Sequence, residues 1–430
     1  MQLNDGLRTV KTIALFGYYG VGNLGDEAVV ETLVENIKTR CPDAKLYGIS
    51  LNPDDTRRRH GIEAFPIRRM YFARTGEDTS WWGKLQTVSL IRKITRVISI
   101  LFVKIPAEIL FLIRSYTSLR GIDILVVAGS GGIYDWWYGP WSHPLTHFKW
   151  ALLAKASGTQ MVYMSVGAGP INTKLGKFFL KFALGAARYR SFRDEASRQL
   201  VTRIGTRGEH HVYPDMAFGI TVKKKELSNA QNTSRLVGIN PVPFFHSSWA
   251  TMLGTSEAKY EGYVNTIAGF IAWLLEGGHR VAFFHSQTGD EFLDADIMKA
   301  FHARQGTSSD PRITQYSATT FDVLLKQISG LDIVVASRFH AVLFSYIAHK
   351  PVLGISYHQK IDDLMSDFGQ TACTVQIEHL ALDDLTKRFA TLEESISLGN
   401  WNISEGILEK YRPALDEQYD RLFGKRSLTM

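Results

Sequence analysis

The sequence predicts an α/β protein of two Rossmann-like, doubly wound domains facing a cleft. Three observations carry that expectation. Strand-length apolar runs alternate with helix-length segments almost from end to end. The alternation stops at a polar stretch, residues 223–235, and then restarts. Glycines, an arginine and a histidine fall where strands give way to helices, which is where open parallel sheets bind ligands. The expected organisation is an N-terminal domain over residues 1–222 with a basic amphipathic insertion at 81–120. A linker follows at 223–235, then a C-terminal domain at 236–403 and a closing helix and tail at 404–430.

Composition narrows the class. A chain of 430 residues with 45% hydrophobic and 21% charged residues is globular and long enough for two or three domains. Cys41 and Cys373 are the only cysteines and lie far apart, which argues for a reducing compartment and against a disulfide framework. Residues 1–10 contain no apolar core of the signal-peptide kind, so a cytoplasmic protein is expected. The net charge is +7, and residues 81–120 hold seven basic side chains against Glu108 alone, a net of +6. The rest is near neutral, which argues against nucleic acid as a partner.

The elements follow in order. Residues 12–16 read as a buried strand, 26–40 as a helix and 44–50 as the next strand. Beyond the basic segment, 122–128 is a strand that runs into Gly129-Ser130-Gly131-Gly132. Helix 147–157, strand 160–166, helix 175–187, strand 189–192 and helix 194–204 complete the first half. The second half offers strand 236–240, helix 260–276, strand 279–285 and helix 290–304. Helix 321–328, strand 331–336, helix 341–348 and strand 351–356 follow, and 404–423 closes the chain as an amphipathic helix.

The most informative run is Ser337-Arg338-Phe339-His340-Ala341, between a strand and the helix it opens. Free N–H groups and the helix dipole favour an anion there. The Arg338 fork suits carboxylate or phosphate, and His340 can carry a proton near neutral pH. These residue types suit a site that holds a small anion and moves a proton. The plainer reading is an arginine that caps carbonyls or pairs with a neighbour, beside a structural histidine.

Near the start, Gly20, Gly22 and Gly25 match a G-x-G-x-x-G spacing. Two facts weigh against a dinucleotide. The run begins three residues beyond the strand end, and Asp26 and Glu27 would repel a pyrophosphate at the helix start. Asp26 is then either an N-cap or a carboxylate that accepts a hydroxyl proton.

These landmarks together resemble the polysaccharide pyruvyltransferase family. The resemblance rests on residues 17–28 (Gly-Tyr-Tyr-Gly-Val-Gly-Asn-Leu-Gly-Asp-Glu-Ala), on residues 337–341 and on Gly354-Ile355-Ser356-Tyr357. Between them, Gly129-Ser130-Gly131-Gly132 with Asp135, Ser191-Phe192-Arg193-Asp194 and Pro214-Asp215 stand in the family's order. Phe339 replaces a commoner Leu, and Ser130 interrupts a glycine triplet. The resemblance covers most of residues 11–370. It implies a GT-B-like fold and transfer of pyruvate from phosphoenolpyruvate to a sugar as a ketal. By carry-over, Asp26 and His340 are catalytic, and Arg193 and Arg338 bind the donor. Two guanidinium forks suit a donor that bears both phosphate and carboxylate. No metal-ligand cluster appears, so neither a metal nor a cofactor is expected beyond phosphoenolpyruvate as donor substrate.

Further residues have two readings each. His285 ends a strand and either lines the cleft as a substrate-binding residue or is satisfied by backbone. Trp136 and Trp137, with Tyr134, Tyr138 and Trp141, either stack on sugar faces or form a small satellite core. His143 and His147 have i,i+4 spacing, but Pro144 and the lack of a third ligand argue against a metal. Residues 97–113 are apolar apart from Ser99, Lys104, Pro106 and Glu108. They read as amphipathic helix on an anionic membrane surface, or as a helical hairpin packed on the domain. The membrane reading places the protein peripherally on the inner membrane face, with a lipid-linked saccharide as acceptor. Two rival functions remain at this level: a nucleotide-sugar glycosyltransferase on the same fold, and a non-catalytic membrane-associated component of polysaccharide assembly.

Overall fold

Thirteen short, mostly apolar strands are laid into two parallel sheets in the computed structural model, which describes residues 11–69, 99–128, 132–136, 139–222, 234–247, 256–306, 309–401 and 405–425. The first sheet holds β1 (Thr12–Phe16), β2 (Lys45–Ser50), β3 (Glu63–Pro66), β4 (Ile124–Val127), β5 (Gln160–Val166), β6 (Tyr189–Phe192) and β7 (His211–Val212). Its order is β3-β2-β1-β4-β5-β6-β7. The second holds β8 (Leu236–Asn240), β9 (Arg280–Phe283), β10 (Ile313–Gln315), β11 (Ile333–Ala336), β12 (Val352–Ser356) and β13 (Thr374–Gln376). Its order is β10-β9-β8-β11-β12-β13. In each sheet the earliest strand is interior and the order reverses beside it, between β1 and β4 and between β8 and β11. Those two switch points are the expected ligand positions. The two Rossmann-like domains and the GT-B-like fold class that the sequence predicts are present.

Six of the described α-helices start where Ser, Thr, Asp or Asn caps a free N–H. Asn23 Oδ1 accepts from Gly25 N at 3.1 Å and from Asp26 N at 3.4 Å, opening α1 (Leu24–Arg40). Of the two roles open to Asp26, the cap therefore belongs to Asn23. A second helix, α2 (Pro53–His60), is capped by Asn52. A π-helical turn, Ile100–Lys104, runs into α3 (Ile105–Leu119), the crossover from β3 to β4. Then come α4 (His143–Ser157), α5 (Lys174–Ala186, capped by Thr173) and α6 (Glu195–Arg203, capped by Asp194). In the second half lie α7 (Glu257–Glu276), α8 (Phe292–Gln305), α9 (Phe321–Gly330) and α10 (Phe339–Ile347). The last are α11 (Gln359–Asp367), α12 (Leu382–Ser397) and α13 (Glu405–Phe423).

Alternate residues of each strand fill a core, as the period of two requires. On one face of the first sheet, Ala14, Phe16, Leu125, Val127, Met161 and Tyr163 meet Trp150 of α4 and Leu180 of α5. In the second, Val237, Ile239, Val281, Phe283, Ile333 and Val335 meet Ile267, Phe270 and Ile271 of α7 and Phe389 of α12.

The chain divides into two compact units. One holds the residues up to Gly20 and Ile37–Val212, and the other holds Val21–Asn36 and Tyr213–Lys425. This differs from the expected division of 1–222 and 236–403 with a separate closing helix. The reason is long-range bonding. Leu24 N donates to Ser286 O at 2.9 Å, and Thr288 N to Gly22 O at 2.9 Å, so the glycine loop and the start of α1 join the second unit. Tyr213 Oη donates to Glu417 Oε1 at 3.1 Å, and Arg412 Nη2 to Ile220 O at 3.2 Å, so α13 joins it as well. The expected linker at 223–235 lies outside the described residues apart from its last two positions. So do residues 81–98 of the basic segment.

Candidate functional site

In the second unit the C-terminal ends of β8, β9 and β11 converge on Asn240. Its Nδ2 donates to Phe284 O at 2.9 Å, and its Oδ1 accepts from Arg338 N at 3.2 Å. Ser337 N donates to Asn240 O at 3.0 Å. One amide thus ties three strand ends at the switch point and sets where Arg338 leaves the sheet. Arg338 holds the N-cap position of α10 with extended backbone (φ −81°, ψ 134°). Its side chain grips Asp290 in a two-pronged bond, Nε to Oδ2 at 2.7 Å and Nη2 to Oδ1 at 2.8 Å. Burial pushes the Asp290 carboxyl above the usual carboxylate range, and Arg338 draws it part of the way back. Burial likewise raises the phenol of Tyr357, against the opposing pull of Arg338.

His285 follows β9 and is buried, with only 4% of its side chain exposed. Its Nε2 lies 3.0 and 2.9 Å from the two oxygens of Asp294, itself buried and raised in pKa chiefly by desolvation. That contact makes Nε2 the protonated nitrogen and orients the ring. Its Nδ1 is buried and has no hydrogen-bond partner among the described residues.

His340, in the first turn of α10, packs edge-on against Phe339 (5.2 Å) and is stacked on Phe344 (5.7 Å). Its ring also lies against the backbone at Gly25, where a Cβ would collide with Nδ1. Only glycine fits there. Gly22 is similarly constrained: its φ is +79°, and a Cβ would meet Thr288 Oγ1. Two members of the glycine run are therefore required by neighbours in the second unit. Asp26, half-buried, is the residue after Gly25. The structure thus brings Asp26, His285, Arg338 and His340 into one unit.

Arg193 stands in the first unit, at the end of β6. Its Nε donates to Asp194 Oδ2 at 3.2 Å, its side chain is 11% exposed, and its guanidinium lies over Gly167. A Cβ at Gly167 would be 2.6 Å from Arg193 Cζ. The strand beneath is bulged: Ser165 has φ +47°, and its N–H is held by Ser191 Oγ at 2.8 Å.

Around the first unit's switch point sits an aromatic and imidazole cluster. Tyr134 Oη and His143 Nε2 are 3.1 Å apart, and Tyr18 lies 3.8 Å from the His143 ring between centroids. His147 bridges Tyr163 Oη and Gly132 O, each at 3.2 Å. Burial pushes His143 down to about 3 and His147 to about 4, so both are neutral at pH 7. Trp136 is half-buried at 6.0 Å from Tyr134, whereas Trp137 lies outside the described residues. Asp135 anchors this loop by accepting from the N–H groups of Asn172 and Thr173, each at 2.7 Å. Among the described residues no group of three or more His, Cys, Asp or Glu could hold a metal ion.

Sequence reasoning missed Asn240, Asp290 and Asp294. Asn240 left a signal, an amide ending an apolar strand just before Pro241. Asp290 and Asp294 looked like ordinary helix-start carboxylates.

A family model described as polysaccharide pyruvyl transferase matches residues 23–359. Among solved structures, the fold is similar to the UDP-GlcNAc 2-epimerase of Methanocaldococcus jannaschii, with a TM-score of 0.55 at 10% identity over 88% of this chain and 92% of that one. It is also similar to the UDP-GlcNAc 2-epimerase of Neisseria meningitidis bound to UDP-GlcNAc, with a TM-score of 0.54 at 10% identity over 97% of each chain. At such identity the likeness is one of fold.

Proposed function

The chain belongs to the polysaccharide pyruvyl transferase family, and from that premise we propose that it transfers pyruvate from phosphoenolpyruvate to two hydroxyls of a saccharide as a ketal. The observation that carries this reading is the placement of Arg338 and His340 at the β11–α10 turn, with Gly25, the residue before Asp26, against the His340 ring. Arg338 binds the donor's anionic groups, held in orientation by Asp290. Arg193 is a further anion-binding residue in this proposal.

The chemistry balances without a further reactant. His340 gives a proton to the donor's methylene carbon, which becomes the methyl group, and the adjoining carbon becomes electrophilic. One sugar hydroxyl adds there and loses its proton to Asp26. A second hydroxyl then displaces phosphate, which carries off that hydroxyl's proton as hydrogenphosphate, and closes the ketal; the proton taken up by Asp26 balances the one given by His340. No cofactor is required in this scheme. The acceptor is a saccharide, lipid-linked if the protein works at the inner face of a membrane as a peripheral protein. No helix among the described residues is long and apolar enough to cross one.

The test is phosphate release from phosphoenolpyruvate in the presence of candidate saccharides and without any nucleotide sugar. His340→Ala should lose roughly 10²–10⁴-fold in turnover, the usual contribution of a positioned general acid. Near-normal phosphate release by that variant removes His340 from the chemistry. Turnover only with a nucleotide sugar would make the protein a glycosyltransferase instead.

A further inference from the structure

Helices α3, α4 and α5 lie side by side over one face of the first sheet. Their inner sides fill the core through Phe111, Leu119, Trp150, Ala154, Leu180 and Leu184. Their outer sides stand out in two respects. The first is apolar exposure. Phe102 just before α3 is 75% exposed, Ile109 52%, Ile113 55% and Phe178 on α5 57%. Trp141, edge-on to Phe179 at the start of α4, is 68% exposed. Most of the exposed large apolar side chains among the described residues belong to this layer.

The second is charge. The three helices carry one carboxylate, Glu108, and Lys149 neutralises it at 2.6 Å. Against it stand Lys104, Arg114, Lys155, Lys174, Lys177 and Lys181, all exposed. A groove of about 860 Å³ between α4 and α5 is floored by Ala151, Ala154 and Phe182 and rimmed by Lys155, Lys181 and Arg188.

A patch both apolar and of one sign needs a partner that is both apolar and negative. A second copy of the same face would set lysine against lysine. An anionic bilayer meets both demands, since its headgroups take the cations and its interface takes Trp, Phe and Ile. We propose that the α3–α4–α5 face docks on an anionic lipid surface, with Phe102, Ile109, Ile113 and Phe178 entering the interface. The sequence pointed only to residues 81–120. The packing of α3 on α4 and α4 on α5 recruits Trp141, Phe178 and the lysines of α5. The proposal stands apart from pyruvyl transfer, because every residue it uses lies in the first unit and outside the second unit's Arg338–His340 cluster.

The test uses the full chain and vesicles of phosphatidylcholine, alone or mixed equally with phosphatidylglycerol. The protein should sediment with the mixed vesicles at low salt, ignore the neutral ones and be released by high salt. Each lysine near such a surface contributes about fivefold in partitioning. Joint Lys174→Glu, Lys177→Glu and Lys181→Glu substitution should therefore weaken binding by well over tenfold while leaving thermal unfolding in place. A polarity-sensitive probe on Ile113→Cys, which removes no charge, should blue-shift when mixed vesicles are added. The proposal is overturned if the wild type stays in the supernatant at low salt, if the triple variant binds as the wild type does, or if the probe spectrum is unchanged. It is equally overturned by a concentration-dependent dimer that the lysine substitutions abolish, since a second copy would then cover the face.

Discussion

Gly25 shows how a single position couples two distant stretches of sequence. A side chain there would displace the His340 ring, so the last glycine of the run is set by an imidazole rather than by a phosphate. Arg338 makes a similar point, because its fork already carries Asp290. Removing one partner of such a buried pair typically costs about 3–5 kcal/mol, through the charge left uncompensated. The imidazoles of the first unit make stability depend on pH. His147 is pushed to about 4 by burial, below the ordinary 6.5 of an unfolded chain. The folded state therefore resists protonation that the unfolded state accepts. The resulting stabilisation is present above about pH 6.5 and is lost as pH falls toward 4. For His147 that loss is about 2 kcal/mol between pH 7 and pH 5. Urea unfolding of wild type and His147→Gln at the two pH values measures it, and the variant should show a shallower decline. Equal declines would mean that His147 is not held neutral.

At the scale of elements, side-chain caps fix the start of several helices, α1 among them. Asn23 satisfies two N–H groups at the start of α1 and forms an isolated bridge with Gln287. Asn23→Ala should cost about 1 kcal/mol in chemical unfolding, and Asn23→Asp should restore most of it, because a carboxylate can accept the same bonds. If alanine is neutral, the cap contributes nothing. Most of the longer strands and helices were legible because their periodicity is local, but the 16-residue α12 (Leu382–Ser397), whose first turn has no side-chain cap, was not among the expected elements. The edge strands Glu63–Pro66, His211–Val212, Ile313–Gln315 and Thr374–Gln376 were not legible either. Two to four residues hold no recognisable period, and such strands exist because a neighbouring strand supplies their hydrogen bonds.

At the scale of the whole molecule, α13 is part of the second unit rather than an appendage. Leu408, Leu415, Tyr419 and Leu422 are buried. Each such side chain contributes about 1.5–3 kcal/mol when removed from water, and four together rival the usual margin of about 5–15 kcal/mol. A chain ended after Gly399 should therefore fail to hold the second unit folded. Scanning calorimetry would show this as a lost or strongly lowered transition with the first unit retained. An unchanged thermogram would mean that α13 packs without stabilising.

The sequence by itself determined the fold class, the alternation that builds two sheets, and the family resemblance carried by residues 17–28 and 337–341. Each of those signals is written in residues close together along the chain: a period of two, a cap, a glycine turn, an Arg and His at a strand end. Tertiary structure alone decided what surrounds them. It placed Val21–Asn36 with the second unit, tied Asn240 to Arg338, set Asp290 on Arg338 and Asp294 on His285, and turned the exposed sides of α3, α4 and α5 into one basic apolar face. These contacts join residues brought near by strand order and helix packing, and no local pattern encodes them.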